Sequence, residues 1–95
     1  MNRESLKAQL VEHEGCVLKP YKDTVGKWTV GVGRNLDDIG ISKMEALVLL
    51  DNDIERVIQD LDRTLPWWKQ LSPTRQQVLA NMAFNMGINR LLGFK

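Results

Sequence analysis

The sequence of 95 residues predicts an α+β protein in which a small β-hairpin is followed by a mostly helical second half. Two observations lead to this prediction. Residues 27–33 alternate between large and small side chains, which is typical of a strand. Residues 42–63 repeat apolar side chains at helical spacing over roughly twenty residues, a length of about 30 Å. With 43% hydrophobic and 26% charged residues, the chain has the composition of one ordinary globular domain.

Composition and charge exclude several classes of protein. The formal net charge of +1 gives no reason to expect a nucleic-acid partner. The longest apolar runs are far shorter than a membrane span needs, so no membrane insertion is predicted. The first fifteen residues contain acids and lack an apolar centre, so no signal peptide is predicted there. Cys16 is the only cysteine, which excludes an internal disulfide and fits a reducing cytoplasm.

A first helix is predicted to begin after a cap at Asn2 or Ser5 and to stop at the glycine that follows Glu14. Glu14 then lies in the last turn, at the negative end of the helix dipole, where an ionised carboxylate is disfavoured. Val17 and Leu18 are expected to add apolar cover. Both effects would favour the protonated form that a general acid requires.

The segment after this helix is predicted to form the hairpin. Residues 22–26 have the composition of a turn, in which Asp23 bonds nearby backbone amides. In the strand that follows, the bulky face is expected to seek the core and carries Trp28, Val30 and Val32. The opposite face is nearly bare around Gly31, which would let a ligand approach the backbone closely. Thr29 is the one substantial side chain there, so its face is predicted to line a cleft.

The second half is predicted to be helical and to fall into two parts. A capping-box pattern at Ser42–Glu45 opens the long helix, and Ser72–Pro73 opens a later one. We therefore expect an N-terminal lobe over residues 1–41, a linking helix over 42–64 and a helical lobe over 65–95. Three large apolar residues close the sequence, and self-association is expected if the monomer leaves them exposed: Leu91, Leu92 and Phe94.

The run over residues 14–33 resembles the phage-type (T4-like) lysozymes, which are also called endolysins. The motifs are E-G, Y-x-D and G-x-x-T-x-G-x-G, at Glu14–Gly15, Tyr21–Asp23 and Gly26–Gly33. Residues 40–46 look like the start of the family's inter-lobe helix, and residues 81–87 look like the helix that lines its second lobe. The resemblance implies a lysozyme-like fold, in which a small hairpin lobe is joined by the long helix to a helical lobe. That second lobe would be partial, because family members continue through further helices.

The same resemblance implies hydrolysis of the β-1,4 bond between N-acetylmuramic acid and N-acetylglucosamine in peptidoglycan. Glu14 would protonate the leaving oxygen, while Asp23 and Thr29 would position and activate a water on the opposite face of the sugar. This division suits an inverting glycosidase, whose two carboxyl groups stand roughly 6.5–9.5 Å apart. No metal and no organic cofactor are implied. Gly31 and Asn85 would contact the glycan.

Arg34 departs from the family pattern, because many members carry histidine at this position. We predict that Arg34 pairs with Asp53, or with Asp51, on the long helix and so ties the hairpin to it. The resemblance also implies synthesis in the host bacterial cytoplasm and action on the cell wall after release.

Two other interpretations remain open. Half a cleft loses most substrate contacts, and orientation supplies much of an enzyme's rate. The chain could therefore be a catalytically weak or inactive relative that binds only glycan or a partner chain. Alternatively, the helix over residues 73–87 could be a small interaction or nucleic-acid module, although it carries Arg75 and little other basic charge.

Overall fold

The computed structural model describes residues 1–93 and confirms the α+β prediction. Within that range the chain forms four α-helices, one 3₁₀ helix and a three-stranded antiparallel sheet. The chain divides into two compact units, of which the first is Met1–Ser42 and the second begins at Lys43. None of the helices in the described part is both long enough and apolar enough to cross a membrane.

The first unit opens with helix α1, Arg3–Glu14. Of the two predicted caps, Asn2 is the one used, because its side-chain oxygen accepts a hydrogen bond of 3.0 Å from the Ser5 N–H. The helix ends where Gly15 takes a φ of +75° and donates its N–H to the Val11 carbonyl. Glu14 is therefore the last helical residue, as the sequence predicted.

The sheet of the first unit consists of β1 (Val17–Lys22), β2 (Trp28–Gly31) and β3 (Arg34–Asn35), in that spatial order. The strand predicted over residues 27–33 ends earlier in the structure, at Gly31. Gly31 and Gly33 both have a φ of +69°, so the chain turns back and pairs with itself as β3. The sequence predicted only a hairpin here, so this third strand was missed.

The two faces of β2 are covered differently from the prediction. Trp28 is 45% exposed, so its face is not a core face, whereas Thr29 is only 4% exposed. The register explains the burial of Thr29, because Tyr21 of β1 and Asn35 of β3 stand directly opposite it on either side. Directly opposed residues share one face of a sheet, and both of these neighbours are larger than threonine.

The second unit is helical. Helix α2 runs from Lys43 to Thr64, a 3₁₀ helix from Pro66 to Gln70, helix α3 from Pro73 to Met86 and helix α4 from Ile88 to Leu92. Ser72 caps α3 by accepting a hydrogen bond from the Arg75 N–H, as the Ser-Pro pattern predicted. Proline at the first helical position has no N–H that needs a partner there.

A small core holds the second unit together. Its buried members come from all four helices of the unit and are Leu61, Trp68, Ala83 and Leu91. The Trp68 indole N–H is not left unpaired by this burial, because it donates a hydrogen bond of 2.8 Å to Asp62 Oδ1.

The predicted apolar patch at the end of the chain is wrong for one of its members. Leu91 is 8% exposed and packs in the core of the second unit, whereas the adjacent Leu92 is 45% exposed. Helix α4 turns one of the two leucines inward, since neighbours on a helix point about 100° apart. Phe94, the third predicted member, lies outside the described residues.

Candidate active site

Asp23 and Thr29, two of the three predicted catalytic residues, meet at the backbone of a single residue, Lys27. The Lys27 N–H donates to Asp23 Oδ1 at 2.8 Å. The Lys27 carbonyl accepts the Asp23 N–H at 2.9 Å and the Thr29 hydroxyl at 3.0 Å. Both site residues are therefore fixed to the same short piece of main chain, where the turn enters β2.

The carboxylate of Asp23 is oriented by the turn that contains it. Besides the Lys27 N–H, Oδ1 accepts the Val25 N–H at 3.0 Å, and the turn closes with a bond from the Gly26 N–H to the Asp23 carbonyl. Gly26 has a φ of +83°, which explains why the turn needs glycine there. Both side-chain bonds fall on one oxygen. Oδ2 accepts no hydrogen bond from any residue in the range 1–93, so it is the oxygen left to act on a ligand or a water.

The buried hydroxyl of Thr29 has a defined direction. Its proton is committed to the Lys27 carbonyl, so the oxygen has its lone pairs left for accepting hydrogen bonds. A water bound here would donate a hydrogen bond to the Thr29 oxygen, and its lone pairs would point away from Thr29. The arrangement is suited to orienting a water molecule.

Glu14 lies against the turn that joins β2 and β3. A methyl group built on Gly33 would come within 3.2 Å of Glu14 Oε2, so the absence of a side chain at this position gives the carboxyl group room beside the backbone. Glu14 itself is exposed. Over residues 1–93 its carboxylate makes no hydrogen bond or ion pair, which leaves both oxygens available to a ligand.

The predicted apolar cover of Glu14 is wrong. Leu18 is 84% exposed and Val17 is also exposed. Both belong to β1, an edge strand of the sheet, and an edge strand of a three-stranded sheet has a neighbour on only one side. Glu14 is therefore bordered by the end of helix α1 and by the glycine turn, and hydrophobic side chains do not cover it.

Gly31 lies at the end of β2 with open space around it. No atom is found within 4 Å of the position where a side chain would begin. Gly31 itself is half-buried, and its contact with the glycan stays a prediction.

The other predicted site residues have local partners. Arg34 Nη1 donates to the Gly40 carbonyl at 3.1 Å, within the first unit. In the second unit, Asp53 is paired with Arg56 one turn further along α2. The pairing of Arg34 with Asp53 stays a prediction.

Asn85 borders a groove between α2 and α3. Its side-chain amide donates to both the main-chain and the side-chain oxygen of Asn81, at 2.9 and 2.6 Å. The groove has a volume of about 450 Å³ and is mostly apolar, and its lining includes Leu50, Ile54, Val57, Ala80 and Phe84. The role of Asn85 in glycan binding stays a prediction.

Lys27 and Gly33 are the two residues of the site whose roles sequence reasoning missed. Lys27 acts through its backbone, so the identity of its side chain carries no signal. Gly33 belonged to the glycine-rich hairpin motif, which could have indicated a close contact but not the group that makes it. No group of three or more metal-binding side chains comes together in the described chain.

The fold and the site together define a class of protein. A helix that ends in an acid, a hairpin with a second acid and a threonine, and a helical unit after it are the parts of a lysozyme-like protein. The family model described as "Phage lysozyme" matches residues 11–93, and the chain belongs to this family.

Individual relatives agree with this assignment. The SAR-endolysin of Escherichia phage Mu is 33% identical over 89 residues, which are 90% of this chain and 51% of that protein. Probable T4-type lysozyme 1 of Dictyostelium discoideum is 30% identical over 120 aligned residues, covering 96% of this chain and 71% of that protein. The SAR-endolysin of Haemophilus phage HP1 is 27% identical, covering 95% of this chain and 50% of that protein. The chain thus spans about half the length of the two SAR-endolysins.

Proposed function

We propose that this chain is a muramidase, which hydrolyses the β-1,4 bond between N-acetylmuramic acid and N-acetylglucosamine in peptidoglycan. The observation that carries the proposal is the joint attachment of Asp23 and Thr29 to Lys27. In both side chains the bond to Lys27 leaves acceptor capacity unused, on Asp23 Oδ2 and on the Thr29 hydroxyl oxygen. Membership of the phage lysozyme family supports the same substrate class.

In the proposed reaction, Glu14 donates a proton to the glycosidic oxygen as the bond to the anomeric carbon breaks. A water held by Thr29 attacks that carbon from the opposite face and gives its proton to Asp23 Oδ2. The products are one new reducing sugar end and one free hydroxyl, so the sum is addition of one water. Attack from the face opposite the leaving group inverts the anomeric centre. The two acids regain their starting protonation by exchange with solvent.

The direct test is turbidity loss of outer-membrane-permeabilised Gram-negative cells by the wild-type chain and its Glu14→Gln variant. Since a general acid contributes about 10²–10⁴-fold, we expect Glu14→Gln to slow clearing at least about 100-fold. Glu12→Gln is the matched control, because Glu12 is another exposed acid on the same helix. Clearing that is equally fast in Glu14→Gln would contradict the proposed role of this residue.

The products offer a second, independent test. Soluble peptidoglycan digested by the chain should yield fragments with N-acetylmuramic acid at the new reducing end. NMR taken early in the digestion should show that end as the α-anomer if the centre is inverted. A β-anomer would exclude the proposed water attack, even if cleavage depends on Glu14.

A second candidate function is glycan or partner binding without efficient cleavage. The observation that favours it is length, because the chain spans about half of the two SAR-endolysins. In this case peptidoglycan pull-down would retain the wild type and Glu14→Gln equally, and neither would release reducing ends. For either function, we propose that the chain is made in the host bacterial cytoplasm and meets its substrate in the cell wall after release.

A further inference from the structure

The segment after β3 holds the backbone of Trp28, the residue that lies between Lys27 and the catalytic candidate Thr29. The Trp28 carbonyl accepts the Leu36 N–H at 2.7 Å. The Trp28 N–H donates to the side chain of Asp37, with 2.8 Å between the nitrogen and Oδ2. Both polar backbone groups of Trp28 are thus bonded to two consecutive residues of this segment.

The Asp37 side chain replaces a backbone acceptor that a longer β3 would have supplied to Trp28. Strand β3 contains only Arg34 and Asn35, so its ladder with β2 stops before Trp28 is fully paired. The Asp37 carboxylate supplies the missing acceptor. Without it the Trp28 N–H would lose its partner at the entrance to β2, where peptide groups otherwise form a regular ladder.

The turn that presents Asp37 is itself held by hydrogen bonds. The Asn35 side chain accepts the Asp38 N–H at 2.9 Å and donates to Asp38 Oδ2 at 3.0 Å. The Asn35 carbonyl accepts the N–H groups of Ile39 and Gly40, each at 3.2 Å. Because these bonds order the turn, the Asp37 carboxylate is held in place beside the Trp28 N–H.

Asp38 makes a weaker tie to the same region. Its carboxylate pairs with Lys27 Nζ at 3.3 Å, and both side chains are largely exposed. Exposed ion pairs of this kind contribute between nothing and about 1 kcal/mol. Of the contacts that Asp37 and Asp38 make with the start of β2, the backbone bond to Asp37 is therefore the stronger one.

We propose that Asp37 is a positioning residue of the candidate active site. By holding Trp28, it fixes the peptide of Lys27, to which Asp23 and Thr29 are both bonded. The inference rests on the proposed function, since it assigns a residue that supports the same chemistry without touching the substrate. Its loss should lower kcat and leave KM nearly unchanged, because binding contacts stay in place while the water and its base are displaced.

Three variants test this proposal in the full chain. Asp37→Ala removes the acceptor and should lower kcat about tenfold. Asp37→Asn keeps an oxygen that accepts the Trp28 N–H and should return kcat to within about threefold of the wild type. Asp37→Glu keeps the charge but moves the carboxylate by one methylene group, so it should resemble Asp37→Ala. Asp38→Ala is the control in the same turn. It removes the ion pair with Lys27 and one of the four hydrogen bonds that Asn35 makes in the turn, but it leaves the Asp37 acceptor, so kcat should stay within about threefold of the wild type.

Amide hydrogen exchange measured by NMR separates this proposal from the proposed function. In Asp37→Ala and Asp37→Glu, the N–H groups of Lys27 and Trp28 should exchange faster than in the wild type and in Asp38→Ala. If the wild type proves unable to hydrolyse glycan, the muramidase proposal fails, and the exchange rates still decide whether Asp37 orders this backbone. Unchanged exchange in both variants, or an equal loss of kcat in Asp38→Ala, would overturn the positioning role. If Asp37→Ala folds poorly, Asp37→Glu provides the comparison with Asp37→Asn.

Discussion

The carboxyl group of Glu14 lies against Gly33, so that even a methyl group there would come within 3.2 Å of Oε2. The end of helix α1 and the turn between β2 and β3 are therefore in direct contact through an acid and a glycine. This contact brings the proposed general acid next to the hairpin that carries Asp23 and Thr29.

Gly33→Ala should displace the Glu14 side chain. The φ of +69° costs an alanine about 1–2 kcal/mol, and the new methyl group must also push the carboxyl group away. Gly31→Ala is a matched control for stability, because it has the same φ but no atom within 4 Å of its added methyl. We expect both variants to lose similar free energy of unfolding, measured by urea denaturation.

Only Gly33→Ala should change the carboxyl ¹³C chemical shift of Glu14. An equal shift change in Gly31→Ala would show that backbone strain, rather than contact with the added methyl, moves the acid. No shift change in either variant would contradict the contact itself.

Thr29→Val should lower kcat about 100-fold, because valine offers no acceptor for the attacking water. The valine also removes the hydroxyl bond to the Lys27 carbonyl, which we expect to cost about 1 kcal/mol of folding stability. Thr29→Ser keeps the hydroxyl and should retain activity to within about tenfold. Steady-state release of reducing sugar ends by the three proteins provides the measurement. If Thr29→Ser lost as much activity as Thr29→Val, packing of the methyl group rather than the hydroxyl would be the requirement.

The second unit should lose stability in acid through Asp62. The hydrogen bond from the Trp68 indole, together with contacts from Lys69, holds the pKa of Asp62 below its ordinary value of 3.8. A carboxyl group whose pKa is lowered by folding stabilises the protein above the unfolded pKa. This contribution is lost as the pH falls through the folded pKa. The free energy of unfolding, followed by tryptophan fluorescence, should therefore decrease as the pH drops below about 3.8.

Asp62→Asn should flatten this dependence on pH. Asp60→Asn is the control, since Asp60 lies on the same helix and is paired with Arg63 at 3.1 Å rather than with an indole. A pH dependence that is as steep in Asp62→Asn as in the wild type would show that the acid lability arises elsewhere.

Leu91→Ala and Leu92→Ala should differ sharply, although the two residues are adjacent. Leu91 is buried in the core of the second unit, so its truncation should cost about 2–4 kcal/mol of folding stability. Leu92 is exposed, and its truncation should cost less than about 1 kcal/mol. Thermal denaturation of the two variants gives the comparison. Equal losses would place Leu92 in a buried contact, such as the self-association that the sequence led us to expect.

Features that depend on a few neighbouring residues were predictable from the sequence. The cap at Asn2, the stop at Gly15, the Asp23 turn and the start of α3 at Ser72 all follow from bonds between residues within four positions of one another. Such bonds form whenever the local backbone adopts the matching conformation, so residue type alone indicates them.

Features that depend on strand register were not predictable. Strand β3 has two residues and no alternating pattern, and Thr29 is buried by Tyr21 and Asn35, whose positions opposite it appear only when the strands pair. The different exposure of Leu91 and Leu92 likewise depends on which side of α4 meets the core. In each case the local sequence allowed more than one outcome, and contacts between separate elements determined which residues are paired or buried.

Lys27 holds Asp23 and Thr29 through its peptide nitrogen and carbonyl oxygen, which nineteen of the twenty common amino acids supply in the same form. In a saturation library at position 27, we therefore expect most substitutions to retain the attachment and proline alone to abolish it. The hairpin can consequently change the charge and size of its outer surface at this position while its chemistry stays constant.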